Sequence, residues 1–594
     1  MKKGGISVQT ENIFPVIKKW LYSDKEIFVR ELVSNACDAI TKHKRLVSLS
    51  ETEESSEEYC VYVTLDKALK TLTVSDNGVG MTEEEVEKYI NQIALSGALD
   101  FISRYEGEDS NGGGIIGHFG LGFYSAFMVA ENVEIKTKSY TDAPAVQWDC
   151  KENGEFEMGP GNKSSKGTDI VLHIVESEYE YLDYEKIKSV LEKYCAFMPY
   201  PIYCQEGEKK ELINEVLPAW QQSPSDLKDE DYNALYKKLF NDYRDPLFYV
   251  HINADYPLNF KGILYFPSMR NSMESNEGCI KLFYNSVFVA DNIKEIVPDY
   301  LYNLSGVLDC PELPLNVSRS YLQDNTYVRK LSAHIIKKLA DKLIKLKNED
   351  FEKYCVLWDV IKPYIEYGCM KDSKFYDRVS SGLLLKKTDG GYTALADLLD
   401  GENKDDIKLY YTTDPRQQSY YVGLYADKQI PVYVLDAVVD TQFASFVESK
   451  GKNVKFLRVD SAFDDVSASA EKDEELMSLF AEATGIDGAK ISLAALGADD
   501  APVLIRCGEE SRRFADMMRM YSALNGTESG APVDEELIVN TANTAILKLS
   551  SMDAEKSKLI AKHFYLMALV ASRALTAEEL KSLFETDRLI TELI

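Results

Sequence analysis

The chain has 594 residues, of which 45% are hydrophobic and 28% are charged. This length exceeds what one hydrophobic core fills, so we expect about three to five folded regions. The 67 basic residues are outnumbered by 97 acidic ones, which gives a net charge of −30. Such a field repels phosphate backbones, so the composition argues against a protein that wraps nucleic acid.

The ten cysteines are spread from Cys37 to Cys507, and no two of them form a C-x-x-C pair. This spacing predicts neither a zinc site nor a disulfide framework. No signal peptide is predicted, because no apolar segment follows the charged N-terminus. The most apolar stretch, residues 115–130, is interrupted by glycines and is not a membrane span. We therefore expect a cytoplasmic protein with no nucleic-acid partner and no stable membrane association.

Changes in sequence pattern divide the chain into three predicted regions. Residues 1–205 alternate helical and strand patterns and contain the glycine-rich loops. Residues 212–460 form a second α/β region, with a large part up to about residue 346 and a small part after it. A joint rich in Ser, Ala, Asp and Glu follows at 461–475, and residues 476–594 are predicted to be mostly helical.

The first helix is predicted at residues 24–46, with Asp24 as its N-cap. At about 100° per residue, Glu31, Asn35 and Asp38 fall within a stripe about 60° wide, beside apolar side chains. Because an unpartnered carboxylate on a buried face is costly, this stripe indicates either a ligand site or the polar edge of an ordinary amphipathic helix. The basic residues assigned to other faces of this helix are Arg30 and Lys42.

The next motif follows a strand predicted at residues 71–75, which ends in the segment 76–81 (DNGVGM). A carboxylate at the mouth of such a loop accepts a hydrogen bond from an exocyclic amine, such as that of adenine. The same Asp-Asn-Gly sequence also makes an ordinary β-turn. Taken alone, this motif leaves open whether Asp76 binds a ligand or belongs to an ordinary β-turn.

Two further motifs contain glycine. Residues 112–125 (GGGIIGHFGLGFYS) combine a glycine-rich loop with an apolar run predicted to start a helix, and backbone N–H groups at a helix start bind phosphate. A lone loop of this kind is a weak signal. The segment 166–169 (KGTD) precedes a strand at 170–174 and presents the hydroxyl of Thr168. Its Lys-Gly-Thr order does not match the Gly-Lys-Thr of a P-loop.

In this order and spacing, the four motifs resemble the GHKL ATPases, the group of DNA gyrase, histidine kinases and heat-shock protein 90. The resemblance implies that ATP lies between a layer of helices and a mixed sheet. It implies that Glu31 is the general base, that Asn35 holds Mg²⁺ against the phosphates, and that Asp76 binds adenine with help from Thr168. The other residues implied to bind or border the nucleotide are Asp38, Gly80, Met81, Ser96, Gly97, Gly117, His118, Phe119, Gly120, Leu121, Gly122 and Phe123.

Within that group, the chain resembles the heat-shock protein 90 chaperones over nearly its whole length, most loosely at residues 370–500. In that family, the arginine of a Pro-Leu-Asn-x-Ser-Arg motif reaches the γ-phosphate, a role that falls here to Arg319. The matching segments are 28–36 (FVRELVSNA), 116–130, 262–267 (GILYFP) and 313–323 (LPLNVSRSYLQ).

Two positions depart from the family pattern. His118 stands where the family often has glutamine, and Leu95 stands where its lid often has lysine, so lid behaviour and some phosphate contacts are expected to differ. Ser96 and Gly97 still match the lid motif. A short first linker and the lack of an acidic Met-Glu-Glu-Val-Asp tail indicate the bacterial type.

Near the C-terminus, residues 555–575 predict a helix that is apolar on more than one side. Thr576 and Glu579 form a capping box that opens a second helix. These helices would form either an intrachain hairpin or, as the resemblance also implies, a two-fold four-helix contact in a homodimer, which we favour. The methionines upstream, Met517, Met518 and Met520, suit either an adaptable surface for client proteins or core packing.

The resemblance implies a multidomain α+β and α/β fold, with an N-terminal GHKL (Bergerat) α/β sandwich, an α/β middle domain and a mostly helical C-terminal dimerisation domain. It implies an ATP-dependent molecular chaperone for partly folded client proteins. Slow hydrolysis would be coupled to closing of a dimeric clamp, with ATP ordering a lid at residues 91–122.

Three alternatives predict features that the sequence lacks. A DNA-acting GHKL ATPase predicts a basic surface and a nucleolytic or toprim-like domain. A passive holdase predicts loss of Glu31, Asn35 or Arg319, and all three are present. A histidine kinase predicts a helix with a phospho-accepting histidine.

Overall fold

A computed structural model describes residues 24–93, 95–105, 114–117, 120–256, 258–268, 278–291, 296–313, 325–400, 407–436, 439–450, 453–462, 468–525 and 533–592. The chain divides into two compact units, residues 1–338 and 339–594. The finer boundaries expected from the sequence remain predictions.

The first unit begins with a helical layer on an eight-stranded mixed sheet. The helices are α1 (Ile27–Ser48), α2 (Glu83–Tyr89), α3 (Gly97–Tyr105) and α4 (Tyr184–Cys195), with 3-10 helices at Gly122–Met128 and Glu176–Leu182. The strands are β1 (Val61–Asp66), β2 (Thr71–Asp76), β3 (Ala130–Lys138), β4 (Val146–Lys151), β5 (Phe156–Pro160), β6 (Gly167–Ile174), β7 (Ile202–Glu206) and β8 (Lys209–Leu212). Their order is β5-β4-β3-β6-β2-β1-β7-β8, and β1 and β7 are the parallel pair.

The core of this layer lies between α1 and the sheet. Along β1, Val61, Val63 and Leu65 are buried and alternate with more exposed side chains, as the two-residue period of a strand requires. They share one core cluster with the buried side of α1, including Phe28 and Leu32. Because the apolar side of α1 faces the sheet, the side chains at its edge are placed over the ends of β2 and β6.

A second sheet of five strands follows in the same unit. Its elements are α5 (Asp229–Phe240), β9 (Phe248–Ala254), β10 (Phe260–Phe266), β11 (Ile280–Tyr284), β12 (Val287–Asp291) and β13 (Ser305–Asp309), and α6 (Asn325–Glu349) comes after it. The strand order is β12-β11-β13-β10-β9. The division between the two units falls within α6.

The second unit contains three sheets and most of the remaining helices. Its first part consists of α7 (Phe351–Lys371), α8 (Ser373–Val379), β14 (Leu384–Lys386), β15 (Tyr392–Ala394), α9 (Leu395–Leu399), β16 (Ile407–Thr412), α10 (Ser419–Ala426), β17 (Val432–Val434), α11 (Asp440–Ser449) and β18 (Val454–Arg458). Strand β16 pairs in parallel with both β17 and β18, and β14 pairs with β15 in a hairpin.

The C-terminal part of the second unit is rich in helix, as the sequence predicts, but it also holds a four-stranded sheet that the sequence analysis did not anticipate. The elements are β19 (Ala468–Ser469), α12 (Glu474–Thr484), β20 (Ile491–Ala495), β21 (Val503–Cys507), α13 (Glu509–Asn525), β22 (Glu535–Asn540), α14 (Thr544–Leu549), α15 (Ala554–Ser572) and α16 (Ala577–Thr591). The sheet order is β19-β20-β22-β21. Across the described part of the chain, no helix has both the length and the apolar content needed to cross a membrane.

Candidate functional site

Helix α1 forms one wall of the candidate site, although it begins later than predicted. Its first residue is Ile27, and Glu26 occupies the N-cap position without a capping side-chain bond. The prediction of Asp24 as N-cap is therefore wrong. Asp24 instead accepts a hydrogen bond from the Glu26 amide at 3.0 Å, in the turn before the helix.

A cavity of about 340 Å³ lies between α1, the ends of β2 and β6, and the segment around α3. It collects fourteen of the predicted site residues. They are Glu31, Asn35, Asp38, Asp76, Gly80, Met81, Ser96, Gly97, Gly117, Gly120, Leu121, Gly122, Phe123 and Thr168. The other three, His118, Phe119 and Arg319, lie outside the described residues.

The sequence analysis assigned two basic residues, Arg30 and Lys42, to other faces of α1, and for Lys42 this assignment is wrong. Lys42 lies eleven residues after Glu31, and at about 100° per residue it returns to the same stripe; it lines the cavity. Burial lowers the pKa of Lys42, while the nearby carboxylates of Asp38, Glu85 and Asp100 act in the opposite direction. Arg30 is on another face but is also buried, with 2% of its surface exposed.

The buried Arg30 holds the predicted general base. Its Nη2 and Nε atoms donate to Glu31 Oε1 at 2.7 and 3.0 Å. This leaves the second oxygen of Glu31 directed towards Gly122, where a built Cβ atom would lie 2.6 Å from Glu31 Oε2. Any side chain at residue 122 would therefore displace the carboxylate. The pairing also explains how the charge of Glu31 is accommodated at 5% exposure.

The part of the cavity that the sequence analysis assigns to the purine lies where β2 ends beside the start of β6. Asp76 Oδ1 accepts a hydrogen bond from the Gly78 amide at 2.8 Å. Burial raises the pKa of Asp76 to about 7, and the Gly78 hydrogen bond partly opposes this shift. Gly80 follows with a φ of +61°, and a Cβ atom there would lie 1.8 Å from the Lys138 carbonyl oxygen. Because the loop passes so close to β3, only glycine fits this position.

Thr137 completes this end of the cavity, and the sequence analysis missed it. Its hydroxyl accepts a hydrogen bond from the Met81 amide at 2.9 Å and lies 2.9 Å from the Thr168 hydroxyl. Thr137 thus links two residues that were predicted to contact adenine. The register of the strands could have revealed Thr137, because it pairs directly with Thr168 between β3 and β6.

At the opposite end, the glycine-rich segment passes over α1. The amides of Ile116 and Gly117 donate to the two carboxylate oxygens of Asp38, each at 2.7 Å. The apolar run after the glycines is helical, as predicted, but residues Gly122–Met128 form a 3-10 helix. Its side chains Phe123 and Phe127 are buried. Short 3-10 turns of this kind are common as connectors, and this one ends where β3 begins.

The described parts of the predicted lid are residues 91–93, 95–105, 114–117 and 120–122. The ring of Tyr89 in α2 lies 3.3 Å from a Cβ position on Gly97, so α3 starts close to α2. The Tyr89 hydroxyl donates to Asp100 at 2.9 Å, and Tyr105 donates to Glu51 after α1 at 2.8 Å. Leu95, the departure from the family pattern, is exposed. These contacts connect α3 to α2 and to the C-terminal end of α1.

The cavity wall carries a net negative charge. Its charged side chains are Glu31, Asp38, Asp76, Glu85 and Asp100, against Lys42 and Arg104. In the described residues, no three His, Cys, Asp or Glu side chains converge to hold a metal ion by themselves. A polyphosphate that enters this cavity would therefore meet a wall of net negative charge.

The C-terminal helices leave apolar side chains uncovered within the chain. The capping box predicted at Thr576 and Glu579 is confirmed, with reciprocal bonds of 3.2 and 2.8 Å. Phe584 on α16 is 64% exposed and Met567 on α15 is 48% exposed. On α13, Met517 is exposed and Met518 half-buried, whereas the Met520 side chain lies outside the described part.

Comparison with known proteins finds two family models that match this chain. Residues 22–160 match the family model described as "Histidine kinase-, DNA gyrase B-, and HSP90-like ATPase", and residues 204–492 match the model described as "Hsp90 protein". The chaperone protein HtpG of Porphyromonas gingivalis strain W83 is 40% identical, covering 98% of this chain and 89% of that protein.

Two further relatives carry the same name. The chaperone protein of Bacteroides fragilis strain YCH46 is 40% identical over 88% of this chain and 81% of its own length. The chaperone protein of Salmonella choleraesuis is 31% identical over 80% of this chain and 81% of its own length.

Proposed function

This chain belongs to the Hsp90 family of ATP-dependent chaperones, and from that membership we propose how its residues bind and hydrolyse ATP. The observation that carries the proposal is the cavity that brings together the Glu31 carboxylate and the Asn35 amide of α1 and the Asp76 carboxylate of β2. Asp76 would accept the adenine amine, and the Thr137–Thr168 hydroxyl pair would orient the loop that carries Met81.

Glu31 is the proposed general base for hydrolysis. Its Oε2 atom would take the proton of the attacking water while Arg30 donates hydrogen bonds to Oε1. The products are ADP and inorganic phosphate. The glycine backbone from Gly117 to Gly122 would surround the phosphates, and Arg319 would reach the γ-phosphate.

The cavity also fits a Mg²⁺ ion that arrives with the nucleotide. Its wall carries five acidic and two basic side chains, so the phosphates need charge neutralisation. Asn35 offers an amide oxygen on that wall, and Mg²⁺ commonly takes one or two protein ligands beside phosphate and water oxygens. When bound, the ion would neutralise phosphate charge.

Hydrolysis would drive opening and closing of a homodimeric clamp in the cytoplasm, with partly folded proteins as clients. The exposed apolar surface of α15 and α16 supports the dimer, because short helices with uncovered apolar residues gain stability from a two-fold contact. The exposed Phe514 and Met517 on α13 suit adaptable binding of varied clients.

Calorimetry and steady-state ATPase assays test this proposal together. With Mg²⁺ present, the wild type should bind and hydrolyse ATP. The variant Glu31→Gln keeps an acceptor for Arg30, so it should bind ATP within about threefold of wild type while kcat falls about 10²- to 10⁴-fold. Arg319→Ala should also lower kcat. Equal activity in all three proteins would refute the proposed mechanism. Absence of binding heat in the wild type would refute the proposed nucleotide site.

A further inference from the structure

The loop that carries the proposed adenine-binding residues, residues 76–81, is held at its middle by two backbone hydrogen bonds. The Val79 amide donates to the Ala39 carbonyl oxygen of α1 at 3.1 Å. The Val79 carbonyl oxygen accepts from the Tyr140 amide, just after β3, at 2.8 Å. These bonds fix the second half of the loop, so the position of its first half depends on other contacts.

Asn77, the second residue of this loop, is bonded through its side chain and its backbone carbonyl. Its Oδ1 atom accepts from the Cys60 amide at 3.2 Å, and its Nδ2 atom donates to the Glu58 carbonyl oxygen at 2.8 Å. Its own carbonyl oxygen accepts a hydrogen bond from Lys166 Nζ at 2.6 Å. Because the donor is an ammonium group, this bond is stronger than one between neutral groups. Lys166 therefore fixes the peptide that follows Asn77.

The Lys166 ammonium group is itself held in place from the side of α1. Its Nζ atom lies 5.2 Å from the centre of the Tyr59 ring, which is a cation–π contact. The Tyr59 hydroxyl lies 2.7 Å from Nδ1 of His43, a buried residue of α1. Burial and the charge of Lys166 lower the pKa of His43 to about 4, so its ring is neutral at pH 7. A chain of contacts thus runs from α1 through Tyr59 to Lys166 and the loop.

Lys166 also acts on Asp76 through its charge. Burial lowers the pKa of Lys166, and the Asp76 carboxylate acts in the opposite direction. Since this attraction is mutual, Lys166 favours the ionised form of Asp76. Lys163 acts on the pKa of Asp76 in the same direction, and Asp169 acts against it. From α1, burial raises the pKa of the Cys37 thiol, so that neighbour of Asp76 is neutral.

We propose that Lys166 is a positioning residue for adenine recognition: it fixes the backbone after Asp76 so that the carboxylate and the rest of the loop meet the purine together. This inference rests on the proposed nucleotide site. Lys166 is not one of the described residues that line the cavity, so it would act through the loop and not by touching the nucleotide. Its loss should therefore weaken binding of adenine compounds and leave the chemical step unchanged.

The test compares three variants of the full-length protein. Lys166→Met removes the ammonium group and keeps a long side chain. Lys166→Arg restores a charged donor at the same position. Lys163→Met is the matched control: it also removes a cation that acts on Asp76, but the ion pair of Lys163 is with Asp169 on β6, at 2.7 Å.

Calorimetry with adenosine at pH 8 measures the contribution of the hydrogen bond. We expect Lys166→Met to bind adenosine about threefold to tenfold more weakly than wild type. The KM for ATP should rise by a similar factor while kcat stays within about twofold. Lys166→Arg and Lys163→Met should both bind adenosine within about twofold of wild type at this pH.

Two further measurements separate positioning from charge and from folding. In both methionine variants, the midpoint of the pH dependence of adenosine binding should move to higher pH, because each variant lacks a cation that favours ionised Asp76. Amide hydrogen exchange of Gly78 and Val79 without nucleotide should accelerate about threefold to tenfold in Lys166→Met alone.

Equal adenosine affinity of Lys166→Met and Lys163→Met at pH 8, or unchanged exchange at Gly78, would overturn the positioning role. A loss of affinity that Lys166→Arg does not restore would also overturn it. Failure of the proposed nucleotide site has a different signature: a wild type that binds no adenosine would still show the exchange difference between the two methionine variants.

Discussion

Glu31 and Gly122 are in direct contact, and the absence of a side chain at residue 122 is what leaves room for the Glu31 carboxylate. A Cβ atom on Gly122 would lie 2.6 Å from Glu31 Oε2 and 3.3 Å from Glu31 Cβ. The proposed general base and the loop proposed to surround the phosphates thus constrain each other's shape.

Replacing Gly122 by alanine should therefore damage catalysis more than folding. The added methyl group pushes the Glu31 carboxylate away from its position, and a displacement of about 1 Å can cost 10²-fold in rate. We expect kcat to fall about 10- to 100-fold in Gly122→Ala, measured by steady-state ATPase assay. The control is Gly159→Ala on β5, where a Cβ atom has no neighbour within 4 Å. Wild-type turnover in Gly122→Ala would contradict the predicted role of this contact.

Adenosine binding should depend on pH through Asp76. Because burial raises its pKa to about 7, the ligand-free carboxyl is mostly protonated at pH 6 and mostly ionised at pH 8. The ionised form is the better acceptor for the adenine amine, so affinity should fall about tenfold from pH 8 to pH 6. Adenosine is the suitable probe because it carries no titrating phosphate.

Calorimetry at the two pH values measures this effect, with Asp76→Asn as the comparison. The variant should bind adenosine more weakly, and its affinity should not change with pH. An affinity of the wild type that stays constant between pH 6 and pH 8 would show that Asp76 does not control binding in this way.

A buried ionic cluster should be essential for the second unit. Arg458 and Arg512 both donate to Asp460 Oδ2, at 2.6 and 2.7 Å, and Asp460 is fully buried. Asp460→Ala leaves two buried guanidinium groups without their carboxylate, which we expect to destabilise this unit by about 3–5 kcal/mol.

Denaturant unfolding followed by hydrogen exchange in β21 measures that loss. Asp359→Ala is the comparison, because its ion pair with Lys386 lies at the surface, with 44% and 41% of the two side chains exposed, and exposed pairs contribute about 0–1 kcal/mol. A similar loss of stability in both variants would contradict the importance assigned to the buried cluster.

The proposed dimer predicts that a charge on α16 separates the subunits. Phe584 is 64% exposed within the chain, and placing aspartate there would put a charge in an apolar two-fold contact, at a cost of several kcal/mol. Sedimentation should show Phe584→Asp as a monomer at concentrations where wild type is a dimer. Leu69→Lys alters an equally exposed residue in the β1–β2 turn and should leave the dimer intact. A monomeric wild type would refute the dimer itself.

Much of the candidate site could be predicted because its motifs are local. Glu31, Asn35 and Asp38 lie on one helix, so the helical period alone brings them together. The segments around Asp76 and Thr168 sit at strand ends that neighbouring strands bring into register. The same period also placed Lys42 on this stripe, and the sequence analysis overlooked it. The Arg30–Glu31 pair was missed because neighbours on a helix point in different directions unless packing buries both.

The sequence by itself determined the family, the ATPase fold and fourteen of the residues that gather at the cavity, because these depend on residue types at fixed spacings within single elements. Only the tertiary structure decided which atoms meet. Thr137 reaches Met81 across 56 positions, and Asn285 reaches Ile115 across 170. Such contacts arise from the packing of sheet against helix and of hairpin against core, and no local periodicity encodes them.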